Sequence, residues 1–535
     1  MIKKTLNYSK NLFFKDNSGN KYSTYLVLII TTIFTRVLFA TKYLFEWDSV
    51  QLALGMNNFN IALHQPHPPG YFFYVYLGKY LNNIIGNANY SLIIINIFFT
   101  IIASLLFYNI ALKIFKDKKL SILSAIIFIT NPFIWFHGEF VNIYIIDSLF
   151  ALIYFYLSYL IVKENKKILL LFTLLFGIGI GFRQSLVIFF TPLYLFTAYD
   201  YLKREKHYFR NILSNLLILI STTLLWLIPT SLLSGGFKAF FEITKNQYFT
   251  STTATAFLSL SKITSILKQT GNVLKLFFYS GGILSIFIIY SFLRGRLKFH
   301  KKIKTIFWFW FLPSFLFYSL IHLGKAGYIM TITPLILILG IAAIYKIKSL
   351  KHKYLIISIV IIFQTIIFLF NIEGLVKNRK LLINISPYSI NAVNLKNNDQ
   401  RIEQIADTIQ QCTPKNTIII TEGDSPYIKP RTNFIKSGRQ LNYYLPEYTI
   451  YYIFNDKSGP TKYYMYQKNN MRLLYQSYIP LDSEINDVLL VVDDYNYEKY
   501  DFEYLNRYTD ENIFYKNISE QDAFEYLGYN FVKQY

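Results

Sequence analysis

The chain of 535 residues is 53% hydrophobic and 19% aromatic, and 16% of its residues are charged. A soluble protein carries about 25% charged residues, whereas the apolar residues here gather in runs of roughly 18–25, long enough to cross a bilayer as helices. The formal net charge of +23 lies mostly in short loops between these runs, which indicates membrane topology rather than nucleic-acid binding, and the single cysteine excludes an intramolecular disulfide.

The apolar runs predict a protein of the cell membrane that crosses the bilayer many times. Alternate loops between the runs carry at least three Lys or Arg, and the intervening loops are poor in them. Because positive loops stay in the cytoplasm, we expect the N-terminus inside and the C-terminus outside. The predicted spans are 22–45, 90–115, 119–136, 140–162, 168–182, 184–202, 211–233, 272–293, 304–322, 328–346 and 354–372.

Residues 70–85 form an apolar segment that is short for a further span and is interrupted by Lys79 and Asn82. Counting it as a span would also invert the charge pattern of every later loop. We therefore expect a helix that lies in or near the outer interface of the membrane. Pro68 and Pro69 are predicted to open it, since proline fits the first turn of a helix.

The composition becomes polar after the last predicted span. This change predicts two domains, a transmembrane domain at 1–372 and an extracytoplasmic α/β domain at 373–535. Short continuous apolar runs are typical of strands buried on both faces, and one segment has its apolar residues on a single helical face. The predicted elements of the second domain are a helix at 400–411 and strands at 417–421, 448–454 and 488–492.

The segment after the first predicted span carries the candidate chemistry. It reads Glu46-Trp-Asp48-Ser and then continues to His64-Gln-Pro-His-Pro-Pro-Gly-Tyr71. A carboxylate at the membrane edge, such as that of Asp48, is partly desolvated, which raises its pKa and suits it to general-base catalysis. Asp48 and Gln51 also fit the N-cap and the reciprocal partner of a short helix, so both roles stay open.

Asp48-Ser49, the small-residue helix after it and His67-Pro-Pro-Gly-Tyr71 together resemble the first extracytoplasmic loop of membrane glycosyltransferases of the GT-C fold. These are relatives of the protein O-mannosyltransferases and of the aminoarabinose transferases of lipid A. The resemblance implies a polytopic α-helical membrane enzyme with a C-terminal outer domain. It also implies transfer of a sugar from a polyprenyl-phosphate donor to a glycan, lipid or protein acceptor.

The resemblance also implies roles for individual residues. Asp48 would deprotonate the acceptor hydroxyl, and His67 and Tyr71 would bind substrate. Lys325 and Tyr328 lie where family members contact the lipid phosphate, although Lys325 alone is equally well a snorkelling anchor. Family members often have an acidic pair in the first loop. Here Glu46 would point away from Asp48 if both lay on one helix, which leaves its role open.

Two further charged residues lie near predicted span ends. Glu139 is a candidate to assist the base or to hold a metal, and the alternative is a solvated loop residue. Arg183 interrupts two apolar segments, where an unpaired charge is costly. It either binds the donor phosphate, as guanidinium groups do well, or forms a structural pair with Glu139 or Asp147.

The cofactor stays undetermined from the sequence. His64 and His67, together with His137 near Glu139, could hold a divalent metal ion, but His67 before two prolines is more simply a rigid structural element. The rival functions are a transporter or flippase of lipid-linked saccharides and a non-catalytic scaffold. Transporters usually show matching halves and ionisable residues at mid-membrane, and the sequence has neither.

Overall fold

The computed structural model describes residues 20–253, 263–370, 390–422, 438–453, 470–474, 477–491, 497–505 and 513–535. Within these residues a large helical bundle is followed by two β-sheets. This arrangement confirms the predicted class, a polytopic helical protein with a C-terminal α/β region. The predicted domain boundary at 372/373 lies outside the described residues.

Every predicted span coincides with one or two helices of the bundle. Short 3-10 helices at Ile61–Leu63 and Ala326–Thr331 accompany them. The helices are α1 (Asn20–Val37), α2 (Trp47–Asn57), α3 (Phe72–Ile85), α4 (Ala88–Phe115), α5 (Lys118–Thr130), α6 (Pro132–Phe136), α7 (Tyr144–Val162), α8 (Leu169–Phe182), α9 (Leu186–Leu202), α10 (Tyr208–Leu233), α11 (Phe237–Thr253), α12 (Ile263–Gly281), α13 (Ile283–Leu293), α14 (Lys301–Leu320), α15 (Thr333–Tyr345) and α16 (Leu350–Leu369).

Eleven membrane spans were predicted, but fewer than eleven of these helices are long enough to cross a membrane by themselves. Among the described residues, five qualify by length and composition, namely α4, α7, α10, α14 and α16. The pair α12–α13 adds a sixth only if it counts as one span, and it bends by 108° where one straight span was predicted. Three more apolar helices, α8, α9 and α15, are shorter than 18 residues, and so is the apolar part of α1 at Tyr22–Val37.

The sequence explains one of the shortened helices. The predicted span 119–136 breaks at Asn131, whose side chain accepts the backbone N–H of Phe133 and so caps α6. Pro132 follows, and proline cannot donate the hydrogen bond that would continue α5. The first span was predicted to reach residue 45, but α1 ends at Val37, and residues 38–46 run to α2 without helical structure.

The predicted interfacial segment is a helix, α3, which packs against α2 and α4. It begins three residues after Pro69, so the prolines precede it rather than open it. Tyr71 is its N-cap and has a left-handed backbone with φ of 46°. A Cβ atom at Gly78 would lie 2.4 Å from Cδ2 of Leu92 on α4, so a larger residue there would force the Leu92 side chain to shift.

Two sheets follow the bundle. The six-stranded sheet has the order β3-β2-β1-β5-β7-β6 and the three-stranded sheet the order β4-β9-β8. The three predicted strands are confirmed as β1, β2 and β5, and the predicted helix is the second half of α17. The elements are α17 (Ala392–Ile409), α18 (Gly438–Tyr444), β1 (Thr417–Glu422), β2 (Thr449–Ile453), β3 (Met471–Leu473), β4 (Tyr478–Asp482), β5 (Asp487–Val491), β6 (Glu503–Tyr504), β7 (Ile513–Asn517), β8 (Ala523–Tyr526) and β9 (Tyr529–Gln534).

Strand β1 shows why its sequence is apolar throughout. It pairs in parallel with both β2 and β5, and successive side chains of a strand point to opposite faces. Ile418 and Ile420 enter one hydrophobic cluster, while Ile419 enters another. Both faces of the sheet are therefore covered at this strand.

Candidate active site

Two carboxylates and one ammonium group form the centre of the site. Nζ of Lys325 lies 2.8 Å from Oε2 of Glu46 and 2.7 Å from Oδ2 of Asp48. Lys325 immediately precedes the 3-10 helix Ala326–Thr331, and the two acids lie at the start of α2. The Glu46 side chain is 2% exposed and that of Asp48 is 27% exposed, so Asp48 is the acid that an incoming molecule can reach.

The N-terminus of α2 corrects two sequence predictions. The N-cap is Glu46 rather than Asp48, and its backbone N–H donates to Oγ of Ser49 at 3.2 Å. Gln51, the expected partner of an Asp48 cap, instead contacts Nδ1 of His64 at 3.4 Å. Because Glu46 lies outside the helical periodicity, its carboxylate does not point away from Asp48 but reaches the same ammonium group.

The pKa of Asp48 also differs from the sequence prediction. Burial by itself raises the pKa of the Asp48 carboxyl, but the Lys325 ammonium and the nearby His67 hold that pKa well below its usual range. The raised pKa predicted from the membrane edge is therefore wrong for this state. As long as Lys325 stays in contact, Asp48 is a weak base.

His67 and Tyr71 join the same cluster. Nδ1 of His67 lies 3.8 Å from Oδ1 of Asp48, and Nε2 of His67 is hydrogen-bonded to the Tyr71 hydroxyl at 3.0 Å. Burial lowers the pKa of His67, while the Asp48 carboxylate opposes that change. The fold thus brings together four of the predicted site residues, Asp48, His67, Tyr71 and Lys325.

Arg183 is engaged by another carboxylate. Its Nε lies 2.6 Å from Oδ1 of Asp147, and the two side chains are 4% and 0% exposed. Its guanidinium carbon lies 5.3 Å from the ring centre of Tyr144 and 5.8 Å from that of Tyr328. Of the two roles weighed from the sequence, this geometry favours the structural pair with Asp147, and it places Tyr328 beside that pair.

Glu139 is fully buried, so the alternative of a solvated loop residue is wrong. Burial raises the pKa of Glu139 well above its ordinary value, and the buried Arg36 of α1 opposes this shift. Among the described residues, no hydrogen bond or ion pair joins Glu139 to Asp48 or Lys325. Its role as a second catalytic acid stays a prediction that the geometry does not support.

Comparison with known proteins bears on the class of enzyme. Residues 66–226 match the family model described as dolichyl-phosphate-mannose-protein mannosyltransferase. The matched segment contains His67, Tyr71 and Arg183 but neither Asp48 nor Lys325. The chain is a membrane glycosyltransferase of the GT-C fold. No curated protein sequence matches it significantly.

Two solved structures are similar to this glycosyltransferase over most of its length. The crystal structure of ArnT from Cupriavidus metallidurans bound to undecaprenyl phosphate has 10% sequence identity and a TM-score of 0.54, covering 93% of this chain and 98% of that one. The apo state of ArnT has 11% identity and a TM-score of 0.53, covering 93% and 99%. These similarities establish the fold, and the partial match to the family model indicates a glycosyltransferase rather than a transporter.

The histidines considered as possible metal ligands do not converge with a carboxylate into a metal site among the described residues. Among the residues that the structure describes, no three His, Cys, Asp or Glu side chains are placed to hold a metal ion. Nδ1 of His137 hydrogen-bonds the carbonyl of Phe133 at 2.9 Å, and His64 contacts Gln51. The geometry therefore gives no reason to route a catalytic step through a metal.

Tyr144 is a residue of the site that the sequence reasoning missed. It begins α7, one turn before Asp147, and its ring lies edge-on to that of Tyr328 with centroids 5.8 Å apart. The spacing of three residues was the available signal, because it puts Tyr144 and Asp147 on one face of the helix. Their partner Arg183 lies in another segment, however, so the sequence of this apolar helix alone does not single out either residue.

Proposed function

We propose that the glycosyltransferase moves a sugar from a polyprenyl phosphate to an acceptor hydroxyl on the extracytoplasmic face, with Asp48 as general base. The observation that carries this proposal is the 2.7 Å contact between Asp48 and Lys325, backed by the buried Glu46. It joins a proton acceptor and a cation suited to a phosphate in one cluster. A solved structure of similar fold is bound to undecaprenyl phosphate, which makes that lipid the donor carrier to test first.

The proposed reaction is a single displacement. The acceptor oxygen forms a bond to the anomeric carbon while the bond from that carbon to the phosphate oxygen breaks. The proton of the acceptor goes to Asp48, and the electron pair of the broken bond stays on the lipid phosphate. Negative charge grows there, so a cation held beside the phosphate stabilises the transition state more than the ground state.

The ion pair between Asp48 and Lys325 implies that the donor binds before Asp48 accepts the proton. Asp48 accepts a proton readily only after the Lys325 ammonium has moved away, and a donor phosphate is a group that draws it away. Glu46 keeps a second carboxylate beside Lys325, so the ammonium remains in the site when Asp48 becomes neutral. Donor binding would thereby convert Asp48 from a weak base into an effective one.

In this scheme His67 lies beside Asp48 and is hydrogen-bonded to Tyr71, while Arg183 is paired with Asp147. We assign Tyr328 and Tyr144 to the wall beside the Arg183 guanidinium. The acceptor, whether glycan, lipid or protein, would approach Asp48 from its exposed side. The transmembrane domain at 1–372 would hold the donor, with the domain at 373–535 outside the cell.

Neutralising Lys325 tests the phosphate assignment. Lys325→Gln is expected to weaken binding of undecaprenyl phosphate roughly ten- to hundredfold, because one charge-assisted hydrogen bond is lost. Binding is measured with the purified full chain in nanodiscs. Lys302→Gln is the matched control, since Lys302 also pairs with a carboxylate, Asp200 at 3.1 Å. Equal affinity of wild type and Lys325→Gln would contradict the assignment.

Single cysteines test the proposed topology. His207 and Ser519 are both exposed, and they lie in a predicted cytoplasmic loop and in the C-terminal region. In a Cys412→Ser background, an impermeant thiol reagent added to intact cells is expected to label Ser519→Cys but not His207→Cys. Labelling of His207→Cys alone would reverse the topology and place Asp48 on the wrong side for this donor. Permeabilised cells, in which both sites should react, provide the control.

A further inference from the structure

The segment that delivers Glu46 and Asp48 to the site has no regular structure of its own. Residues 40–45 link α1 to α2 without helical hydrogen bonds, although Leu44 and Phe45 are buried. Buried backbone N–H and C=O groups need partners, because leaving them unpaired is costly. The source of those partners decides what holds the active-site segment in place.

The partners of residues 42–45 come from side chains more than 350 residues away. Asp399 on α17 accepts the backbone N–H groups of Lys42 at 2.8 Å and Tyr43 at 3.2 Å. The hydroxyl of Tyr444 on α18 accepts the N–H of Leu44 at 2.7 Å. Consecutive residues just before Glu46 are therefore held through their main chain.

Helix α18 contacts the same loop again and also the chain after α2. Nε2 of Gln440 donates to the carbonyl of Leu44 at 2.8 Å. Arg439 donates to the carbonyl of Leu63 at 2.9 Å, and its guanidinium lies 5.8 Å from the ring centre of Trp47. Helix α18 thus contacts the chain on both sides of Asp48, and α17 contacts residues before it, although among the described residues no hydrogen bond or ion pair links either helix to the Asp48 carboxylate.

We infer that Asp399, Gln440 and Tyr444 are positioning residues through which the C-terminal α/β region sets the main-chain path that carries Glu46 and Asp48. This inference rests on the proposed role of Asp48 as the base. Main-chain contacts fix backbone position independently of the side chains in the segment. A shift of about 1 Å in a catalytic group can slow an enzyme about a hundredfold, so loosening this contact lowers turnover without removing any group that touches substrate.

Tyr444→Phe and Tyr448→Phe form a matched pair for the test. Both changes remove one hydroxyl that binds backbone, but the Tyr448 hydroxyl donates to the carbonyl of Cys412 at 2.7 Å, inside the C-terminal region. Tyr444→Phe is expected to lower kcat roughly ten- to hundredfold, with little change in donor KM. Tyr448→Phe is expected to leave kcat within about twofold of wild type.

Hydrogen exchange gives a second measurement that does not depend on activity. The amides of residues 42–44 are expected to exchange faster in Tyr444→Phe and in Asp399→Asn, which loses one of two acceptor oxygens. The amide of Thr41 is an internal control, because it donates to the carbonyl of Glu139 at 2.9 Å. Asp407→Asn, an exposed change on the same helix, should alter neither exchange nor turnover.

The outcomes separate this inference from the proposed function. Equal losses of kcat in Tyr444→Phe and Tyr448→Phe would show a purely structural contact and overturn the inference, as would faster exchange at residues 42–44 with unchanged kcat. A fully active Asp48→Asn variant would instead overturn the proposed base, while the exchange of residues 42–44 would still report whether the C-terminal region holds the segment.

Discussion

Asp48→Asn is expected to lower sugar transfer by roughly 10²–10⁴-fold, the usual scale for loss of a general base. Asparagine has nearly the same size and cannot accept the acceptor proton. Because Glu46 rather than Asp48 caps α2, the substitution should leave the helix intact. The measurement is turnover of the purified full chain with an undecaprenyl-phosphate-linked sugar.

Affinity for the sugar-free lipid separates catalysis from binding in the same variant. It should be unchanged or higher in Asp48→Asn, because the Lys325 ammonium no longer has to leave the Asp48 carboxylate to meet the donor phosphate. Asp407→Asn serves as the matched control, since it makes the same chemical change at an exposed position. Retention of more than about a tenth of wild-type turnover in Asp48→Asn would rule out general-base catalysis at this residue.

Breaking the buried pair of Arg183 and Asp147 is expected to have the largest effect on stability. Arg183→Met leaves the Asp147 carboxylate buried without its cation, and removal of one partner of such a pair costs about 3–5 kcal/mol. The double variant Arg183→Met with Asp147→Leu removes both charges and should recover most of that loss. Thermal unfolding of the single and double variants in one detergent measures the difference.

The same variants decide between the two roles considered for Arg183. If Arg183→Met unfolds at the wild-type temperature but binds undecaprenyl phosphate much more weakly, the phosphate role is right and the structural one is wrong. If instead the double variant is stable and binds the lipid normally, the pair serves the fold alone. The 2.6 Å contact and the near-complete burial of both side chains favour the second result.

Much of the architecture could be predicted because it depends on local pattern. Long apolar runs place the helices, and the apolar run at 417–421 predicts a strand covered on both faces. The errors lie where one polar residue or glycine changes the path of an apolar segment. Asn131 caps a new helix inside a predicted span, and the chain bends by 108° at the Gly282 break. Average hydrophobicity does not register such positions.

The site was predictable only in part, for an electrostatic reason. The acid at position 48 and the cation at position 325 were both identified, but their contact joins segments 277 residues apart. That contact changes the chemistry, because a cation at 2.7 Å lowers the pKa that burial alone would raise. The role of Arg183 shows the same limit, since its carboxylate partner lies on a different helix.

By itself, the sequence determined that this protein is a multi-pass membrane protein, and it identified Asp48, His67, Tyr71 and Lys325 as candidate site residues. Hydrophobic length, loop charge and short motifs are local properties that can be read without knowing which segments meet. Only the tertiary structure decided that Glu46 shares Lys325 with Asp48, that Arg183 pairs with Asp147, and that the C-terminal helices hold residues 42–45. These are contacts between distant segments, and the packing of the whole chain sets the distance and the desolvation on which their energies depend.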